Sequence, residues 1–359
     1  MHVQYKRVVV KIGSNVLTQE DGLPDIARIK NITGQIAGLR KKGVEVILVS
    51  SGAVASGRSL ITVPDRTDAI AARQLLAAVG QVKLINTYSG LFEAHQMLCA
   101  QVLVTKEDFR DRKHYLNMKN CFQVLLQNKV VPIVNENDVV SVTELMFTDN
   151  DELAGLVAAM LNADALIILS NVDGIYNGDP RQEGARVIEE ISVRETGFTN
   201  FISPGKSQFG RGGMVTKSVM AQKVARLGIP VHVANGKKDD VLPDLLDNKL
   251  VHTRFVPGKT ASGTKKWLAA SAASATGLVQ VNEGAKSALI SGKAVSLLPV
   301  GVISIRSDFE KGDIIRLVDE QDQLIGLGVA QYGSDKARER IGQRNQKALV
   351  HYDYFYPAI

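Results

Sequence analysis

The feature that most constrains this chain is a regular exchange between short, unbroken apolar runs and longer amphipathic stretches from Val8 to Ala234. The runs are Val8–Ile12, Val44–Val49, Met97–Val104, Val130–Val134, Ala165–Leu169 and Val231–Ala234. A strand that is apolar at nearly every position must be covered on both faces, as in a parallel sheet. Between the runs the apolar period becomes helical. Ile26, Ile29, Ile32, Ile36 and Leu39 share one stripe, opened by Pro24 and Asp25 and closed by Gly43. Further helices are predicted over 67–95, around Tyr115, Met118, Phe122 and Leu125, over 151–162 and over 214–227. Such alternation predicts an α/β domain, an open, mainly parallel sheet sandwiched by helices.

The pattern changes after Val251. Residues 257–274 hold Pro257, Gly258, Gly263 and several Ser, Thr and Ala residues, the composition of a linker. Beyond it, short strand-like pieces over 278–281, 294–298, 302–306, 313–318 and 324–330 predict a small, mostly-β barrel-like domain. The expected organisation is an α/β domain over 1–256, a linker over 257–274 and the β-rich domain over 275–359. A length of 359 residues suits two domains.

Composition then narrows the classes. With 45% hydrophobic and 22% charged residues the chain can bury a core and is not a disordered type. A net charge of +6 suits a protein that handles anions. Two cysteines, Cys99 and Cys121, are too few for a disulfide framework, and the six histidines lack zinc-ligand spacing, so no protein-bound metal site is predicted. No apolar stretch reaches the ~20 residues that span a bilayer. Residues 1–7 lead into the first strand without an apolar leader, and a reducing, cytoplasmic setting is expected.

In an open parallel sheet, ligands sit beyond the carboxyl ends of the strands. Lys11 lies inside the first apolar strand, where it needs an anionic partner unless it faces water at an edge, and Gly13 would let the backbone approach a phosphate. Ser50-Ser51-Gly52 follows the second strand and can present N–H groups to an anion, or simply make a tight turn. Asn135-Glu136-Asn137-Asp138 suits the ammonium and carboxylate of an amino acid, or a capped loop. Thr148-Asp149-Asn150-Asp151-Glu152 opens a helix with more polar residues than one cap requires. Gly210-Arg211-Gly212-Gly213 precedes a helix carrying Met214 and Lys217, an anion-binding arrangement. The P-loop pattern and the protein-kinase HRD and DFG elements are absent. Lys11 and Lys217 with backbone N–H groups could still neutralise a triphosphate.

With these elements in order, the chain resembles the amino-acid kinase family, and within it the members that phosphorylate glutamate. The matching stretches are VVVKIGSNVLT from Val8, VILVSSGAVASG from Val46, RQLLAAVGQ from Arg73, VPIVNENDVVSV from Val131, FTDNDELAGLVA from Phe147, NVDGIYNGDP from Asn171 and GRGGMVTK from Gly210. The end of the chain is similar to a PUA domain, from EGAKSALISGKAVSLLPVGVISIRSDFEKGDIIRLVD at Glu283 to GLGVAQYGSD at Gly326.

The resemblance implies an ATP-dependent kinase of proline biosynthesis that acts on the side-chain carboxylate of L-glutamate. It implies Lys11, Asp151 and Lys217 as catalytic residues, with Asp151 orienting the lysines. Ser51, Gly52, Asn135, Asp138 and Asn150 would bind glutamate. Lys11, Gly13, Ser170, Asn171, Tyr176, Arg211, Gly212, Gly213, Met214 and Lys217 would face ATP, with Mg²⁺ bridging its phosphates. Ser170-Asn171 stands where relatives usually have Thr-Asp, and Arg211 where they have Thr. Proline as feedback inhibitor and a homo-oligomeric assembly are also implied. A kinase with another small carboxylate as acceptor is the enzymatic alternative. RNA binding through the PUA-like part is the other, suggested by Lys336, Arg338, Arg340, Arg344 and Lys347. Asp308, Glu310, Asp313, Asp319, Glu320 and Asp322 dilute that charge, so an appendage for stability or regulation is the favoured reading.

Overall fold

A computed structural model describes the chain apart from residues 1–4, 65, 142–146, 181, 196–212, 271–274, 292–293 and 359, and apart from the side chains of residues 110 and 270. It divides into two units, Met1–Thr260 and Ala261–Ile359.

In the first unit the described strands are β1 (Arg7–Ile12), β2 (Glu45–Ser50), β3 (Cys99–Val104), β4 (Val131–Glu136), β5 (Ala165–Ser170), β6 (Glu190–Ser192), β7 (Val231–Asn235) and β8 (Thr253–Val256). The helices are α1 (Ser14–Leu17), α2 (Ile26–Lys41), α3 (Ala53–Arg58), α4 (Ala69–Glu93), α5 (Lys106–Arg110), α6 (Arg112–Gln127), α7 (Asn150–Leu161), α8 (Met214–Arg226) and α9 (Val241–Leu246). The sheet runs β3-β4-β2-β1-β5-β7-β8-β6, with every pair parallel except β7 with β8. The apolar runs explain this order: β1, β2, β4 and β5 are buried along nearly their whole length and fill the middle of the sheet. Lys11 pairs in register with Val49 on one side and Ile168 on the other, so it lies in the centre of the sheet rather than at an edge.

Local chemistry sets the helix ends. Asp25 accepts a hydrogen bond from the Arg28 N–H at the start of α2, and Asp68 caps α4 in the same way. Gly43, at φ +85°, ends the turn after α2. Helices α3 and α4 cross at Gly57 and Gly80 with almost no gap. A β-carbon on Gly80 would stand 1.9 Å from the Ala53 carbonyl oxygen, and one on Gly57 would stand 2.1 Å from that of Leu76.

At the opposite end of the strands from the candidate ligand loops, Tyr5 Oη lies 3.0 Å from His232 Nε2, and His232 Nδ1 lies 2.9 Å from His252 Nε2. Burial, with help from His252 and Arg254, pulls the His232 pKa down to about 3. The folded-state value lies below the unfolded one of 6.5. Between these values the unfolded chain binds a proton that the folded chain does not, so stability falls as pH drops through that window. The limiting slope is about 1.4 kcal/mol per pH unit. Thermal melts of the wild type from pH 7 to 4 should therefore fall more steeply than those of His232→Gln. Parallel curves would show that this imidazole is not buried neutral.

The second unit holds β9 (Gly277–Val281), β10 (Val302–Ile305), β11 (Ile314–Val318), β12 (Leu324–Ala330) and β13 (Val350–Pro357) in the order β10-β9-β11-β12-β13, antiparallel except for β9 with β11. Its helices are α10 (Gly263–Ala270), α11 (Glu283–Ile290) and α12 (Ser334–Arg340). Val279, Val281, Ile315, Leu317, Val350 and Phe355 form its core. Two expectations need correction. The stretch over 257–274 is not all linker, because α10 buries Trp267 and Leu268 and packs against β13. The predicted strand over 294–298 is reduced to a single bridge between Leu297 and Val350. Among the described residues, no helix is long and apolar enough to cross a membrane.

Candidate active site

Three charged side chains meet beyond the carboxyl ends of the central strands. Asp151, in the first turn of α7, places Oδ1 2.7 Å from Lys11 Nζ of β1 and Oδ2 2.6 Å from Lys217 Nζ of α8. All three are buried, at 5% exposure for Lys11, 2% for Asp151 and 8% for Lys217. The pairing of α7 with α8 makes this possible. Gly155, one turn on from Asp151, lets Val224 of α8 approach so closely that a β-carbon would lie 2.7 Å from its methyl group.

Burial alone would raise the Asp151 carboxyl, but the two ammonium groups reverse this and hold it well below the usual carboxylate range. Burial pulls Lys11 down against the opposing attraction of Asp151, and Lys217 adds to the pull. Asp149 is the α7 cap that the sequence suggested for this stretch: its Oδ1 accepts from the N–H groups of Asp151 and Glu152. Burial and the neighbouring Asp151 push its carboxyl up. Its Oδ2 is buried and has no hydrogen-bond partner among the described residues. Two ammonium groups converge on one carboxylate in a desolvated place, so positive charge is held ready where negative charge would develop.

A second cluster adjoins the first through Asn150, the neighbour of Asp151. Asn150 Nδ2 donates to Ser51 Oγ at 2.9 Å and to Asn135 Oδ1 at 3.1 Å, and Asn135 Nδ2 donates to Gln81 Oε1 of α4 at 2.9 Å. Gly52 stands at φ +110° as it turns β2 into α3, a conformation that glycine alone adopts readily. Asp138 is held by Arg73, whose Nη2 and Nε donate to its Oδ1 at 2.6 and 3.2 Å.

At the other end of the site, Ser170 is buried at the end of β5 and its Oγ lies 3.5 Å from Asn171 Oδ1. Tyr176 hydrogen-bonds Asp173, which also takes Lys238 Nζ at 2.7 Å and Asn235 Nδ2 at 3.1 Å. Gly213 precedes Met214, the first residue of α8. Arg211 and Gly212 lie outside the described residues. The Gly13 N–H donates to the Leu169 carbonyl at 3.1 Å, so what this glycine offers a phosphate is close backbone approach rather than its own N–H. A β-carbon there would press on the Leu169 oxygen at 3.3 Å and lie in ordinary contact with Lys11 Nζ at 3.6 Å.

Lys11, Asp151 and Lys217 are thus brought together, as are Ser51, Asn135 and Asn150. Arg73, Gln81, Asp173 and Lys238 were not singled out from the sequence. Arg73 and Gln81 share one face of α4 at a spacing of eight residues, a signal present in RQLLAAVGQ.

Residues 6–235 match the amino acid kinase family and residues 277–351 the PUA domain. The glutamate 5-kinase of Bacteroides thetaiotaomicron is 52% identical over 359 residues, covering 99% of both chains. That of Chlorobaculum tepidum is 50% identical over 356 residues, covering 99% of this chain and 98% of its own. Among solved structures, a carbamate kinase from Giardia lamblia bound to AMP-PNP superposes with a TM-score of 0.52 at 20% identity, covering 70% of this chain and 99% of its own. That likeness is one of fold.

Proposed function

The chain belongs to the amino acid kinase family and to its glutamate 5-kinase branch, and from that membership we propose that it transfers the γ-phosphoryl group of ATP to the side-chain carboxylate of L-glutamate. The products are glutamyl 5-phosphate and ADP, and the reaction opens proline biosynthesis. The observation that carries this reading is Asp151 held between two buried lysines, beside the amide and hydroxyl cluster of Asn150, Ser51 and Asn135.

The acceptor carboxylate is already ionised at neutral pH, so no general base is required. A carboxylate oxygen forms the new bond to phosphorus while the bond from phosphorus to the β,γ-bridging oxygen breaks, and its electron pair leaves with ADP. The difficulty is to bring two anions together. Lys11 and Lys217 supply positive charge on opposite sides of Asp151, where it stabilises the transferred oxygens, and Asp151 keeps both ammonium groups aimed. Asn150, Ser51 and Asn135 bind and orient the acceptor, while Ser170, Asn171, Tyr176 and Met214 line the nucleotide end.

Mg²⁺ belongs to this reading as the ion carried on the phosphates of the nucleotide, where it offsets negative charge. Asp149, whose Oδ2 is buried without a hydrogen-bond partner among the described residues, is the acidic residue that would help hold the ion. Proline also carries an α-ammonium, secondary in its ring, and an α-carboxylate, so its inhibition should compete with glutamate rather than with ATP.

Trapping with hydroxylamine tests the reading. Glutamate should give ATP-dependent hydroxamate, and aspartate, N-acetylglutamate and carbamate should not. Preference for any of those three would overturn the acceptor assignment.

A further inference from the structure

The stretch RQLLAAVGQ supplies a residue that the mechanism above does not use. Arg73 lies in the first turns of α4 with its side chain 30% exposed, against two buried carboxylates. Its Nη2 is 2.6 Å from Asp138 Oδ1 and 4.0 Å from Glu136 Oε2. Glu136 accepts the Phe147 N–H through Oε1, which fixes that carboxylate in place. Arg73 Nη1 has no hydrogen-bond partner among the described residues. Gln74 ties the same helix turn to the loop, donating to the Val139 carbonyl at 2.6 Å.

The cluster has a direction. Asp151 joins Asn150 in the chain, Asn150 bonds Ser51 and Asn135, Asn135 bonds Gln81, and Arg73 stands two turns from Gln81 on the same helix, beside Asp138. The phosphoryl end and the Arg73 end are therefore opposite ends of one polar run. An ion pair presented edge-on is complementary to a zwitterionic α-carbon. The substrate ammonium meets the carboxylate, the substrate carboxylate meets the guanidinium, and the four charges alternate. A guanidinium is the side chain suited to a second, planar contact of this kind without releasing its first partner.

We infer that Arg73, held by Asp138, is a specificity-determining residue that binds the α-carboxylate of the acceptor amino acid. The inference rests on the proposed function, since it names what lies at the far end of the acceptor site. It makes the enzyme demand both charges of an α-amino acid, and it rejects acceptors whose α-carboxylate is missing or neutral.

The test compares L-glutamate with L-isoglutamine, in which the α-carboxylate is a neutral amide of the same shape and the acceptor carboxylate is intact. The readout is the ratio of kcat/KM for the two on one enzyme preparation, which does not depend on the fraction of active protein. If isoglutamine is turned over too slowly, its inhibition constant against glutamate replaces its kcat/KM. Wild type should favour glutamate by on the order of 100-fold, and Arg73→Gln should bring the ratio below about tenfold with the ATP KM unchanged. Gln74→Ala, which loosens the same turn, should move both acceptors alike. An unchanged ratio in Arg73→Gln overturns the inference. Absence of glutamate-dependent turnover in the wild type would instead overturn the proposed function.

Discussion

Asp151→Asn should lower kcat by at least about 100-fold while glutamate and ATP KM values move only a few-fold. Asparagine keeps the volume and the helix position but removes the charge that both lysines face at 2.6–2.7 Å. Its amide can accept from one ammonium group, and its NH₂ is turned against the other. Lys11, already pulled down by burial, then loses the interaction that opposes this pull. Leaving buried charge without its counter-ion costs about 3–5 kcal/mol, so a lower melting temperature is also expected and kcat must be read on folded protein. Because the Asp151 pKa is depressed in the folded state, its stabilising effect is fully present above the usual carboxylate range. It is lost only as pH falls towards the depressed value. Protonation of Asp151 therefore should not shape the wild-type rate profile above about pH 5. Lys217→Arg should not restore what Lys217→Ala loses, since a forked guanidinium does not occupy the place of a compact ammonium. A kcat within threefold of wild type for Asp151→Asn would remove the carboxylate from the mechanism.

The sheet was legible in the sequence because burial on both faces writes itself as an unbroken apolar run, and Lys11 stood out against such a run. The first turn of α7 was legible for a related reason: one cap uses Asp149, which leaves Asn150 and Asp151 to be explained. What the sequence concealed has physical causes too. Helix α10 is rich in the small and polar residues of a linker, and only the Trp267–Leu268 pair betrays a buried face. That the Gly13 N–H is bonded to Leu169 follows from the pairing of distant strands and not from the local pattern. Arg73 looks like an ordinary charge on an amphipathic helix, because its partner Asp138 lies 65 residues away. Pairings of that kind depend on the crossing of elements, which local patterns do not encode.

The crossing of α3 and α4 gives the other large effect: Gly80→Ala should destabilise the protein by about 3 kcal/mol or more and raise the glutamate KM at least about tenfold. The added methyl would meet the Ala53 carbonyl oxygen at 1.9 Å and the Gly57 nitrogen at 2.3 Å. Both are backbone atoms, so no side chain can rotate away and the helices must part. Parting them moves the end of α3 that begins at Gly52, and with it Ser51, which accepts the Asn150 hydrogen bond. It also moves Gln81, the next residue on α4, which holds Asn135. The acceptor end of the site is thus built on this contact, whereas Lys11, Asp151 and Lys217 sit on β1, α7 and α8. The ATP KM should consequently change much less than the glutamate KM. Gly90→Ala is the control on the same helix: nothing lies within 4 Å of its β-carbon position, and replacing glycine there should stabilise by roughly 0.5–1 kcal/mol. Melting curves and the two KM values decide the matter. If Gly80→Ala melts like Gly90→Ala and keeps its glutamate KM, the close crossing does not position the acceptor site.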